Sequence, residues 1–332
     1  GSGKHNNWSL VTDTGVNFLA PGKNPKSNLQ FLVFSVTTIK AVYENSDLLR
    51  ASVASHGNER RFGANEAPPN IISVFLGSQL TQILDQLEKD VPDEKMSPDV
   101  KTQLKLNVGK IPEILLDNTD RNRTSPFAYT GNRFEFRGVG SSINCASPMI
   151  ALNTAVADEL ENFKKDTDKL VEEGLKKDEA MFRVIRQYIT ASRNIRFEGD
   201  GYSEEWEKEA EERGLSNVSE VPAVLKSYMS NKSLELFNRN NVLTPEESEA
   251  RYMIKLEMYQ KNIQIESRVL GDLVINHVLP TALRYQNTII ENVKGLKELF
   301  DEGSYMDIAG GKLDTIKRIA RHTSIIRNKV PE

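Results

Sequence analysis

Asn132-Arg133-Phe134-Glu135-Phe136-Arg137 alternates charged and aromatic residues, the period-two signature of a β-strand with two unlike faces. Arg133, Glu135 and Arg137 share one face, and Phe134 and Phe136 point to the other. Burying two phenyl rings fixes the strand and holds the three charges rigidly on an exposed or cleft side. A carboxylate between two guanidinium groups has two readings. One is a structural ion-pair lattice across neighbouring strands. The other is a site in which the carboxylate holds a divalent cation while the arginines hold the oxyanions that the cation also touches.

Outward toward the amino terminus, residues 117–123 supply Asp120, Arg121 and Arg123, and Thr124-Ser125-Pro126 ends any helix there. Together with Arg133 and Arg137 these arginines bring four guanidiniums toward one region. Such a density of positive charge calls for several carboxylates or for an anionic ligand, polyphosphate being the natural candidate. Further back, Asn58-Glu59-Arg60-Arg61-Phe62-Gly63-Ala64-Asn65-Glu66-Ala67-Pro68-Pro69 reads as a loop, with Gly63 at a sharp turn and the paired prolines stiffening the exit. Glu66 on that loop is either solvated or, with Arg60 and Arg61 before it, part of a segment closing over an anionic substrate.

The opening residues 1–10 read as a glycine turn running into a short strand, with His5, Asn7 and Ser9 alternating onto one face. A lone histidine there fits an ordinary surface or core position as readily as a metal ligand. Residues 12–26 have turn-forming composition, 27–43 read as a largely buried helix, and Ser46 or Asp47 caps a short helix reaching Ala54. Residues 70–76 read as a strand, 78–89 as an amphipathic helix, and 91–113, polar with three prolines, as an excursion from the core.

On the carboxyl side, Gly138-Val139-Gly140-Ser141-Ser142 turns the chain and Pro148 opens a long helix at its first position. From about Met149 the composition shifts to few glycines, many Glu and Lys, and apolar residues three or four apart, so this part is nearly all helix. Gly199 to Gly201 breaks it and Pro222 opens a helix. Thr244-Pro245-Glu246-Glu247 begins a very long one, which Pro280 kinks or interrupts. The expected fold class is α+β, an antiparallel sheet with helices over residues 1–148 followed by a mostly helical region over 149–332.

A net charge of -4 with 27% charged residues over 332 residues is mixed rather than polarised, so no nucleic-acid partner is expected. The single cysteine, Cys145, excludes an internal disulfide and a thiolate metal cage. No apolar run reaches the roughly 18 uncharged residues of a membrane span, and no charged-then-apolar leader pattern opens the chain. The expectation is a cytoplasmic protein without a membrane partner. The start at Gly1-Ser2-Gly3, without methionine, fits either an expression remnant or the interior of a longer protein. There is no zinc spacing, P-loop, dinucleotide fingerprint or nucleophile elbow.

Three separated segments together carry a resemblance: Gly1-Ser2-Gly3-Lys4-His5; Arg60 through Asn65-Glu66-Ala67-Pro68; and Asn122-Arg123-Thr124-Ser125 followed by Arg133-Phe134-Glu135-Phe136-Arg137. Their order and spacing resemble the carboxy-terminal half of the catalytic domain of glutamine synthetase. Ser125-Pro126-Phe127-Ala128-Tyr129-Thr130-Gly131-Asn132 before the strand and Gly140-Ser141-Ser142 after it are similar to the long type III branch found in bacteria. The resemblance implies an enzyme that joins ammonia to glutamate through a γ-glutamyl phosphate, using ATP and Mg²⁺ or Mn²⁺.

Residue by residue, the resemblance implies that His5 and Glu135 are ligands of the cation bridging the nucleotide phosphates. Arg123 and Arg133 then neutralise the transferring phosphoryl group and the departing ADP. Arg60 and Arg137 grip the glutamate carboxylates, Gly1 and Gly3 line that pocket with backbone groups, and Ser9 lies beside the nucleotide. Glu66 becomes the carboxylate that screens the acyl phosphate from water and helps take a proton from bound ammonium. An arginine of the shorter enzymes has no counterpart in Phe127-Ala128-Tyr129. The family's other metal-binding glutamates and its amino-terminal β-grasp domain belong before the first residue, so the chain is expected to be a fragment, inactive alone. By the same resemblance the protein is a homo-oligomer, a dodecamer of stacked hexamers. The alternative is a noncatalytic helical assembly module whose charged strand is an ion-pair lattice. A phosphagen kinase also surrounds ATP with arginines, but the Asn-Glu-Ala-Pro loop and the His5 segment do not suit it.

Overall fold

The alternating stretch forms a strand, and its two phenyl rings are completely buried. In the computed structural model, which describes residues 4–62, 69–92, 96–111, 124–140 and 143–329, four strands make one sheet: β1 (Lys4–Trp8), β2 (Val74–Phe75), β3 (Phe127–Tyr129) and β4 (Phe134–Gly140). Their order is β1-β4-β3-β2. β4 runs antiparallel to both β1 and β3, whereas β2 joins β3 in parallel, so the sheet is mixed rather than antiparallel throughout. Phe127 lies opposite Phe136 and Tyr129 opposite Phe134, with ring centroids 6.0 and 5.2 Å apart in edge-on arrangements. Cross-strand aromatic pairs of this kind add stabilisation beyond their buried area and fix the register.

Around the sheet stand α1 (Pro25–Glu44), α2 (Ser46–Ser52), α3 (His56–Glu59), α4 (Ser78–Asp90), α5 (Pro98–Gly109), α6 (Ala146–Glu172) and α7 (Lys177–Ala191). α1 is apolar nearly all round, as a helix enclosed by others must be, and it packs against α5, α6 and α7. Phe31 of α1 sits against Tyr129 of β3, which ties this helix to the sheet. Trp8 donates its indole N–H to Asn153 of α6 at 2.8 Å, anchoring the edge strand β1. Then follow α8 (Glu204–Glu212), α9 (Val221–Leu225), α10 (Asn231–Arg239), α11 (Pro245–Leu273), α12 (Leu279–Leu299) and α13 (Glu302–Lys329).

Several local expectations shift. The strand expected over 70–76 contracts to Val74–Phe75. The excursion over 91–113 contains a helix, α5, because Ser97 accepts the Val100 N–H and Pro98 occupies a first-turn position where its missing N–H costs nothing. Pro148 falls at the third position of α6 rather than the first, since Asn144 accepts the Ala146 N–H at 2.8 Å and starts the helix earlier. Residue 148, where the sequence reading divides the chain, therefore lies inside that helix. At α11 Thr244 and Glu247 form a reciprocal capping box. Pro280 sits directly after a π-helical turn, Val274–Val278, in the first turn of α12. A wider turn accommodates a ring that an α-helical backbone would meet in steric conflict.

The chain forms two compact units, Gly1–Glu257 and Met258–Glu332. In the second, α12 and α13 pair antiparallel, with Gln286 donating to the Ile316 carbonyl at 3.0 Å and Lys312 to Asn292 at 2.7 Å. Among the described residues no helix is long and apolar enough to cross a membrane.

Candidate functional site

β1 and β4 bring together residues 130 positions apart in the chain. Asn6, Asn7 and Trp8 lie opposite Phe136, Glu135 and Phe134, and the pairing shifts between Lys4 and Asn6, so His5 sits at an irregularity in the ladder. A bulge re-aims the side chain it carries. Here His5 Nδ1 comes to 3.7 Å from Glu135 Oε2, within ion-pair range and longer than a hydrogen bond. On the same carboxylate oxygen Arg137 directs Nε at 3.3 Å and Nη2 at 3.2 Å. His5 is half exposed, Glu135 largely buried and Arg137 buried.

Burial, and then the Arg137 charge, lower the basicity of His5, with Glu135 opposing them. The imidazole is thereby biased toward its neutral form, in which one ring nitrogen keeps a lone pair for a cation or a proton. Burial also lowers the basicity of Arg137, and Glu135 opposes this. The cluster thus holds one nitrogen donor, one carboxylate and one cationic donor at the edge of a rigid sheet. An imidazole and a carboxylate suit a hard or borderline divalent cation. Among the described residues no group of three or more His, Cys, Asp or Glu comes together to complete a metal shell.

The other residues singled out from the sequence stand apart from this trio or outside the described residues. Arg133 is exposed just before β4, and Ser9 is exposed one residue past β1. Arg60 is exposed at the carboxyl end of α3. Gly1, Gly3, Glu66 and Arg123 lie outside the described residues, as do Asp120 and Arg121. The α3 segment is nevertheless bound to β4. Asn58, fully buried, donates its amide to the carbonyls of Val53, Gly138 and Val139 at 2.8, 3.1 and 3.2 Å, and accepts from Arg61 at 2.7 Å. Sequence reasoning passed over Asn58. Its only local signal is position three after Ser55, whose hydroxyl accepts the Asn58 N–H, and that marks a helix start rather than a tether.

An α+β unit whose edge strand β1 and neighbouring strand β4 carry an imidazole, a carboxylate and a guanidinium is a scaffold suited to cations and oxyanions. Residues 180–297 match the family model for the glutamine synthetase C-terminal domain. The chain is 55% identical over 327 residues to a glutamine synthetase of Bacteroides fragilis (strain YCH46), an alignment covering 98% of this chain and 45% of that protein. It is 43% identical over 296 residues to a type-3 glutamine synthetase of Dictyostelium discoideum, covering 89% of this chain and 40% of the relative. With a glutamine synthetase of Butyrivibrio fibrisolvens it shares 39% identity over 307 residues, covering 91% and 42%. The chain belongs to the glutamine synthetase family, and it spans under half the length of these curated relatives.

Proposed function

We propose that this chain is part of a type III glutamine synthetase, and that the whole protein joins ammonia to glutamate at the expense of ATP in the cytoplasm. Residues 1–148 are then the carboxy-terminal half of the catalytic domain and 149–332 the branch's helical extension. The observation that carries the reading is the approach of His5 to Glu135 across β1 and β4, with Arg137 on the same carboxylate, in a chain so similar to glutamine synthetases.

In the proposed reaction an oxygen of the glutamate γ-carboxylate attacks the γ-phosphorus of ATP, and ADP leaves. Ammonia then attacks the resulting acyl carbon, and inorganic phosphate leaves with the electron pair of its C–O bond. His5 and Glu135 supply nitrogen and oxygen donors that fit Mg²⁺ or Mn²⁺, which when bound neutralises phosphate charge. Arg137, oriented by Glu135, grips a substrate carboxylate together with Arg60, beside backbone groups of Gly1 and Gly3. Arg123 and Arg133 draw off charge as ADP departs. Ser9 lies beside the nucleotide. Glu66 excludes water and takes the proton that ammonium must lose.

The proposed assembly is a homo-oligomer, a dodecamer by family resemblance. It is supported by the apolar side chains Ile265, Val269, Leu270 and Leu273 that α11 leaves exposed. The test of the function is glutamine formation by the full-length protein and its Glu135→Ala variant. The wild type should make glutamine from glutamate, ammonia and ATP, and the variant should not. Retained activity in a folded variant would reject the assignment.

A further inference from the structure

We propose that Asn58 is a positioning residue, whose side-chain amide holds the irregular stretch of β4 opposite His5 and so sets the imidazole against the Glu135 carboxylate. The inference rests on the reading above, in which that pair supplies donors to a divalent cation.

The ladder between β1 and β4 slips at one place. Lys4 pairs with Gly140 and Asn6 with Phe136, so while β1 advances two residues β4 advances four. Arg137, Gly138 and Val139 therefore stand opposite His5 alone. One residue brings a single N–H and a single carbonyl, which cannot serve the peptide groups of three. A bulge of this kind leaves backbone groups outside the ladder, and all three residues are buried. Their carbonyls need a donor from elsewhere.

Asn58 is that donor. Its Nδ2 reaches the Gly138 and Val139 carbonyls at 3.1 and 3.2 Å, and the carbonyl of Val53, at the end of α2, at 2.8 Å. Two N–H groups serve three acceptors, so one is shared. The side-chain oxygen accepts from Arg61 at 2.7 Å, which fixes the way the amide faces. The extra residues of β4 are fitted closely to this side chain. A β-carbon at Gly140, where φ is +113, would lie 2.9 Å from the Asn58 oxygen and 3.0 Å from its nitrogen. An aliphatic residue in place of Asn58 could fill the same space, but it would leave buried carbonyls without their donor.

The consequence for the site is geometric. β3 pairs with β4 only as far as Phe136, apart from the Arg137 N–H that the Pro126 carbonyl accepts at 2.9 Å. Past that point β4 is held, among the described residues, by the edge strand β1, by the Phe62 ring beside Gly138 and by Asn58. Releasing the bulge lets the register of β1 drift. A slip of one residue turns a side chain to the opposite face, so His5 would leave Glu135.

The test compares Asn58→Ala and Asn58→Asp with wild type in the full-length protein, with Asp158→Asn as a variant weakened elsewhere. Asn58→Asp keeps the volume and the acceptor for Arg61 and removes the N–H groups. Amide hydrogen exchange is followed in the peptides spanning residues 4–10 and 134–140, and Mn²⁺ binding through the paramagnetic resonance of the free ion. Both Asn58 variants should speed exchange in the two peptides at least tenfold, while α1 and α7 exchange as in wild type. They should also weaken Mn²⁺ binding at least tenfold, the loss typical when a group that orients a metal ligand is removed. Asp158→Asn should leave both readings within twofold. Unchanged exchange, or unchanged Mn²⁺ binding, in folded Asn58 variants overturns the proposal. Should neither variant fold, wild-type exchange decides: residues 4–10, 56–62 and 134–140 should open together, and independent opening of α3 overturns the proposal as well. A wild-type protein that binds no Mn²⁺ would sink the functional reading, while the exchange data would still decide whether Asn58 holds the bulge.

Discussion

His5 Nδ1 stands 3.7 Å from Glu135 Oε2, across strands that meet only because the first described residues of the chain pair with β4. The same oxygen receives two N–H groups of Arg137, so one carboxylate is shared between an imidazole and a guanidinium. A group that holds a cation in place of the imidazole's proton must compete with Arg137 for that oxygen. This competition makes the cluster sensitive to single substitutions.

Ligand-linked stability should report on the pair directly. Full-length protein heated with ATP and Mn²⁺ should melt several degrees higher than without them, because ligands that bind only the folded state stabilise it. His5→Ala should lose most of that shift while the ligand-free melting temperature changes little, whereas Glu135→Ala should lose the shift and also melt lower without ligand, because it takes from the buried Arg137 the carboxylate it pairs with. Calorimetric melts with ATP alone, Mn²⁺ alone and both provide the check.

Phe136 carries the sheet. It is completely buried and meets Phe127 edge-on. Phe136→Ala should cost about 3–5 kcal/mol, the range for emptying a core aromatic site. Urea unfolding of this chain measures it, and a loss below about 1 kcal/mol would contradict the packing described above.

Two glycines of β4 should differ in their tolerance to Ala. At Gly138 the added carbon meets the edge of the Phe62 ring at 3.2 Å, which the ring accommodates by a small shift. At Gly140 the backbone lies at φ +113, and the added carbon would stand 2.8 Å from Ile143 and 2.9 Å from the Asn58 side chain. Gly140→Ala should therefore destabilise by about 2–4 kcal/mol, combining strain with overlap. Gly138→Ala should cost roughly 1 kcal/mol. Thermal melts of the two variants side by side test the order.

Acid stability should depend on Asp158. Burial raises its carboxyl, but hydrogen bonds from Arg239 and Asn240 and the Arg239 charge outweigh burial and hold it below its ordinary value of 3.8. Arg239 gives Nε and Nη2 to the two carboxylate oxygens at 2.5 Å each, joining α10 to α6. A carboxylate with a lowered folded-state value contributes stability that is complete above about pH 4 and disappears as the pH falls through the lowered value. Asp158→Asn should cost about 1–2 kcal/mol at pH 7, the half-exposed Arg239 limiting the figure, and nearly nothing once both forms are protonated. Chemical denaturation at descending pH should show the difference between the two proteins constant down to about pH 4 and narrowing only below it.

Much of this fold is legible in short stretches of sequence. The Phe134–Phe136 alternation marked a strand and its buried face, the density of apolar residues marked α1 as enclosed, and Thr244 with Glu247 marked the start of α11. These features rest on contacts between residues a few positions apart, where periodicity and capping act. Where the local signal was ambiguous it misled: the prolines and polar residues of 91–113 suggested an excursion, yet Ser97 and Pro98 begin α5. A proline interrupts a helix or opens one according to what precedes it.

The strand pairing lies beyond local pattern. Nothing in residues 4–8 says that they lie beside 134–140, nor that the pairing slips at His5 and turns its imidazole toward Glu135. The parallel seat of β2 and the burial of Arg50 between Phe62 and Asn70 are equally invisible in sequence. Family resemblance could name His5 and Glu135 as partners, but their approach depends on ladder register and helix packing between residues far apart in the chain. Local propensity sets the elements, and the burial of surfaces distant in sequence sets which charges meet.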